Sequence, residues 1–222
     1  MGKGNRNKAA RAAQRASSPA APAPRPPENE LSAAVIVVGE LFEIEPDCAS
    51  AAGLLAEVGA HLGYDLRPRP VSVLIHDQPT GSILAMGPKA TEKLPVAQRQ
   101  SMENHRPNGK DTGHLVLTSD EPSIVLDPNM RQLGTYGVDA PSIIIRVKST
   151  QPESGEWQFS SKGLSLLYFL DEENYALLPL FEQTRRDPNV VAIARKIGEG
   201  IRSGLDLDTI ISSVRSSALT KP

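Results

Sequence analysis

The feature that most constrains this chain is the stretch GHLVLTSDEPSIVLDP, Gly113 to Pro128. Two short apolar runs flank Asp120, Glu121 and Pro122, and that trio is a turn signal. Leucine and β-branched residues on both sides of a tight turn predict an antiparallel hairpin. More strands are expected beyond it. SIIIRV from Ser142 is one, and LSLLYFL from Leu164 is another, preceded by the QPESGE turn and a partner around Trp157 to Phe159.

Helical patterns flank this strand-rich middle. LSAAVIVVGELF, Leu31 to Phe42, places Leu31, Ala34, Val35, Val38 and Leu41 on one helical face. A second helix follows in EPDCASAAGLLAEVGAHLGY, Glu45 to Tyr64. Asp47 is a good N-cap, Cys48 takes the first helical position, and Gly63 supplies the stop. Val71 to Ile75 predicts a strand. Residues 77 to 112 read as a long polar segment with one short helix near Thr91 to Met102. At the C-terminal end Asp187 caps, Pro188 opens, and Val190, Ile193, Ala194, Ile197 and Ile201 form a stripe. A last short helix is expected from Asp208 to Ser216. The fold class is therefore α+β, with helices packed on a mainly antiparallel sheet.

Residues 1–29 stand apart as a basic tail. SSPAAPAPRPPENE cannot be packed, because proline removes donors and favours extended structure. The expected organisation is thus a disordered tail over 1–29 and one α+β domain over 30–222. Lys3, Arg6, Lys8, Arg11, Arg15 and Arg25 precede the first acid, Glu28, although the whole chain carries a net charge of −2. The remaining body is acidic, a poor surface for nucleic acid, and only the tail is suited to weak phosphate contacts. The chain holds 1 cysteine, which excludes an internal disulfide and any multi-cysteine zinc site. A disulfide-free chain without a secretory leader or an apolar run long enough to span a bilayer is expected in the cytoplasm.

That lone thiol carries the functional expectation. A helix N-terminus bears roughly half a positive charge, which favours a thiolate there. Its exposed backbone N–H groups also suit the oxyanion of a tetrahedral intermediate. A thiol nucleophile needs an imidazole. His61 lies in the same helix, about 20 Å along its axis, out of reach. His76 ends the next strand and His105 lies in the polar segment. His114 opens a strand directly after Gly113, and Asp127 ends the paired strand. A tight hairpin brings such residues close to opposite each other, roughly 5 Å apart. Cys48, His114 and Asp127 are the candidate nucleophile, base and orienting acid.

Other readings compete. A single cysteine before an alanine-rich helix also serves as a small buried hydrophobe, and Asp-Pro after a strand is a common turn opener. The four histidines lack close ligand spacings, so no metal site is expected. GSILAMGPKAT puts Pro88 between Gly87 and Lys89, out of register for a phosphate-binding loop.

The segments DCASAAGLLAEVGAHLGYDLRPRPVSVLI, GHLVL and IVLDPNMRQLG resemble the transglutaminase-like branch of the papain-like thiol enzymes. They share its order of cysteine on a helix start, histidine in a following strand and aspartate in the next. The resemblance covers roughly Glu45 to Arg146. It implies a papain-like (transglutaminase-type) core, no cofactor, and acyl transfer or hydrolysis on a peptide or amide substrate, possibly a protein. It also points to Gln132, shortly after the aspartate, as a substrate-binding donor. Ala49 stands where transglutaminases commonly have an aromatic, so no particular substrate carries over. A non-catalytic binding module on the same fold is the alternative, and it needs no reactive thiol.

Overall fold

The computed structural model describes residues 27–43, 47–103 and 113–219. Two helices come first, α1 over Pro27–Leu41 and α2 over Cys48–Leu62. Strands β1 (Arg67–Asp77) and β2 (Ser82–Met86) follow, then the short helices α3 (Pro88–Thr91) and α4 (Val96–Glu103). Next are β3 (His114–Ser119), β4 (Ile124–Asp127), a 3-10 helix over Met130–Tyr136, and strands β5 (Ile143–Arg146), β6 (Glu156–Ser161) and β7 (Leu164–Leu170). Helices α5 (Leu178–Arg186), α6 (Pro188–Arg202) and α7 (Leu207–Leu219) complete the order.

The expected tail is in large part outside the described residues, while α1 begins at Pro27, inside it. The 77 to 112 segment is less loop-like than its composition suggests. It contains β2 as well as two helices where a single one was expected. Helix α5 was not anticipated either.

All pairings in the seven-stranded sheet are antiparallel, in the order β5-β4-β3-β1-β7-β6, with β2 also on β1. This makes an α+β architecture. β1 organises it. One of its edges is shared: β3 covers Arg67–Val71 and β2 covers Val73–Asp77. β7 runs along the other edge from Val71 to Asp77. Pro68 and Pro70 fall where β7 does not run, the kind of open edge on which a missing donor is tolerated. The shared edge has a consequence for the site. Near Val71 and Val73 the end of β2 and the start of β3 part, and His114 stands at that parting.

The strands divide their side chains between two cores. Leu115, Leu117, Ile124 and Leu126 of the β3–β4 hairpin meet Leu31, Val35, Val38, Leu55 and Val58 of α1 and α2. Alternate residues, Val116 and Val125, face the second core with Val71, Val73, Ile143, Trp157 and Tyr168. Ile143 and Trp157 come from opposite ends of the strand order yet share that core, so the sheet curls on itself. The indole N–H of Trp157 donates to the carbonyl of Ser149 at 3.1 Å, satisfying the polar end of a buried ring.

Helix α2 is fixed from several sides. Its last turn ends at Gly63, whose φ of +90° is open to glycine at no steric cost. Arg185 of α5 donates to Glu57 at 2.7 Å. Ala51, Ala52, Leu55 and Val58 are fully buried or nearly so, which locks the helix against the sheet.

Candidate active site

The site forms where the N-terminus of α2 meets the parting of β2 and β3. Asp47 is the N-cap of α2, with an extended backbone and a carboxylate that accepts from Ala49 N–H at 3.0 Å and Ser50 N–H at 3.1 Å. Its second oxygen accepts from the Ser50 hydroxyl at 2.6 Å. These bonds fix the helix start and therefore Cys48, which is half-buried at the first helical position. They also narrow the oxyanion site expected here. Two of the helix-start donors are committed to Asp47, so the N–H of Cys48 is the one that the cap does not use.

His114 and Asp127 are buried, with 1% and 0% of their surface exposed. His114 Nε2 lies 2.9 Å from Asp127 Oδ2. The strand register places them differently from the opposed pair that the hairpin suggested. Leu117 pairs with Leu126, so one step further Val116, not His114, stands opposite Asp127. His114 reaches the carboxylate diagonally, within range of a long side chain on the same face. Before His114, Gly113 has φ +74°, and a Cβ there would stand 3.0 Å from both the Asn174 amide nitrogen and the Val71 carbonyl. Glycine is needed to bring the chain into β3 at this point.

Asp127 is held by further donors. Tyr168 on β7 donates its hydroxyl to Oδ2 at 3.0 Å, and the Asn129 backbone N–H donates to Oδ1 at 3.1 Å. A buried carboxylate needs such partners to remain charged. Tyr168 itself is fully buried, and burial first, then the charge and hydrogen bond of Asp127, push its phenol well above the usual range.

Electrostatics at His114 set two effects against each other. Burial is the largest single influence and acts to lower its basicity. The charge of Asp127, its hydrogen bond, and a hydrogen bond and charge from Cys48 act the other way and prevail, so the imidazole is pushed up to about 10. Cys48 is thus within interaction range of His114. Since Asp127 occupies Nε2, the nitrogen left for the thiol is Nδ1.

Gln132, on the 3-10 helix, points its amide nitrogen 3.5 Å from His114 Nδ1 and 3.5 Å from Met86 Sδ at the end of β2. It therefore borders the imidazole edge that faces the thiol. The other histidines are elsewhere. His61 is in the last turn of α2. His76 is exposed, pairing with Ile83 and Ser165 at the far end of β1. His105 lies outside the described residues.

Tyr168, the Asn129 backbone and Met86 are site components that sequence reasoning missed. A tyrosine in the apolar run LSLLYFL was the one available signal, since a buried hydroxyl needs an acceptor.

A cavity of about 990 Å³ lies among α1, α2, α5 and α6, with Leu41, Phe42, Ser50, Leu54 and Val190 in its lining. It touches neither Cys48 nor His114, and the side-chain geometry above, rather than cavity size, locates the chemistry. Among the described residues, no group of three or more His, Cys, Asp or Glu side chains is placed to hold a metal ion. No helix among them is long and apolar enough to cross a membrane. No protein-family model, curated protein or solved structure matches the chain.

Proposed function

We propose that the protein is a thiol-dependent acyl-transfer or hydrolysis enzyme of protease, amidase or transglutaminase type, with a papain-like core and Cys48, His114 and Asp127 as its triad. The observation that carries this reading is the interaction of a helix-start thiol with a buried imidazole whose far nitrogen is 2.9 Å from a carboxylate. A core-filling cysteine needs no such partner. A thiol nucleophile needs this one.

The imidazole is pushed up to about 10, basic enough to take the Cys48 thiol proton on Nδ1. Cys48 Sγ attacks the carbonyl carbon of an amide, and the carbonyl electron pair moves onto oxygen. The Cys48 N–H donates to that oxyanion. The tetrahedral adduct collapses and breaks the C–N bond, and the departing amine takes the proton of His114 Nδ1. A thioester on Cys48 remains. Neutral His114 then takes a proton from water or an amine, which attacks the thioester and releases Cys48. Water gives hydrolysis and an amine gives transfer. Asp127 holds the ring in place throughout and balances its charge. Gln132, bordering Nδ1, is placed to donate to the bound substrate.

The test is intact-mass spectrometry of the protein with small activated amides and thioesters, with and without a fluorescent primary amine. An acyl adduct on Cys48 that disappears in Cys48→Ala and declines sharply in His114→Ala supports the reading. Amine incorporation selects transfer over hydrolysis. Equal thiol reactivity in wild type and His114→Ala would instead favour a binding module without catalysis.

A further inference from the structure

We propose that Tyr168 is a positioning residue for this site: its hydroxyl, donating to the same Asp127 oxygen that holds His114, sets how firmly the carboxylate grips the imidazole. The inference rests on the triad reading above and adds a fourth member from a distant strand.

The geometry is specific. Oδ2 of Asp127 receives Tyr168 at 3.0 Å and lies 2.9 Å from His114 Nε2, while Oδ1 receives only a backbone donor among these contacts. Two side-chain donors thus share one oxygen. A donor on a carboxylate draws electron density from it and weakens its attraction for a neighbouring cation. Tyr168 therefore loosens the Asp127–imidazolium contact while tethering the carboxylate oxygen that makes it. Its phenol is held well above the usual range, so it stays a donor over the whole interval in which His114 titrates.

Few other groups act here. The charged and titratable groups that bear on His114 are Asp127 from β4 and Cys48 from α2, and the one that bears on Tyr168 is Asp127. β1, which lies between β3 and β7, brings Val71 and Val73 to the same core, neither of them titratable. Gln132 at Nδ1 is neutral.

The experiment is a proton NMR titration of the His114 ring in the full chain, in wild type, in Tyr168→Phe, and with 3-fluorotyrosine at position 168. Fluorination makes the phenol a stronger donor without removing it, so it serves even where Tyr168→Phe does not fold. The expected midpoint moves up by about one pH unit in Tyr168→Phe, the scale of one charge-assisted hydrogen bond, and down with 3-fluorotyrosine. A midpoint that stays put under fluorination, and in Tyr168→Phe where it folds, overturns the proposal and makes Tyr168 core filling. Failure of the triad reading is distinguishable. It shows in thiol alkylation that is indifferent to His114→Ala, a readout independent of the ring titration.

Discussion

Two helices of this protein start in nearly the same way and serve different ends. α2 and α6 are both 15 residues long, and each is opened by an aspartate whose side chain accepts a backbone N–H of the first turn. In α6 the residue after the cap is Pro188, which has no N–H and no reactive atom. In α2 it is Cys48, with both. Proline there is the more secure way to begin a helix. The cysteine position forgoes that security and presents a thiol and a donor to His114. A helix start alone does not make a site. Among the described residues, no buried imidazole bonded to a carboxylate lies across from Asp187, whereas Asp47 has one beside its neighbour Cys48.

The largest expected effect tests what lies across from the helix. His114→Ala removes the group that takes the thiol proton, and turnover is expected to fall by roughly 10²-fold or more. The rate of iodoacetamide alkylation at neutral pH, read by mass on the chain's 1 cysteine, is expected to fall with it. An unchanged alkylation rate would leave α2 and α6 equivalent.

Next is Asp127→Ala. It leaves a buried imidazolium, a buried phenol and the Asn129 N–H without their acceptor. The expected cost is about 3–5 kcal/mol of unfolding free energy by urea denaturation, with activity lost as well. Removing this carboxylate is therefore expected to harm the fold as well as the activity. Asp127→Asn keeps one acceptor oxygen and is expected to cost less.

The caps themselves give a smaller, paired effect. Asp47→Ala is expected to cost about 1–2 kcal/mol and Asp187→Ala about 1 kcal/mol, since Asp47 accepts more bonds and α6 retains Pro188. Only Asp47→Ala should alter Cys48 alkylation. Equal changes in alkylation would mean that the cap acts through global stability.

The pH dependence sharpens the same contrast. His114 is raised from 6.5 to about 10, so its folded state binds the proton more tightly than the unfolded chain. That contribution to stability is fully present below about 6.5 and is lost as pH rises through 10. The urea midpoint of wild type should therefore fall over this interval, and that of His114→Gln should fall less. A parallel decline in both would remove the imidazolium from the account.

How much of this was legible in the sequence follows from how local each signal is. Asp47, Cys48 and Gly63 lie within one helix and its caps, and their roles were readable from position alone. The β3–β4 hairpin was readable for the same reason, its turn being only residues 120–123. The diagonal offset of His114 and Asp127 was not, because Ser123 joins the turn and moves every pair along the hairpin by one residue. β2 was hidden because SILAM is short and set in polar sequence, and only pairing with β1 makes it a strand. Helix α5 buries Phe181 alone among its residues, too little for a visible stripe. Tyr168 is 41 residues from Asp127, and the curl of the sheet, not any sequence pattern, joins them.

The most direct measurement is the NMR titration midpoint of the His114 ring in wild type and in Cys48→Ala. Contact between the Cys48 sulfur and the His114 ring predicts a wild-type midpoint near 10 that moves lower once the sulfur is gone. The same midpoint in both proteins would show that the sulfur and the ring do not interact, and would contradict the assignment of Cys48 and His114 to one site.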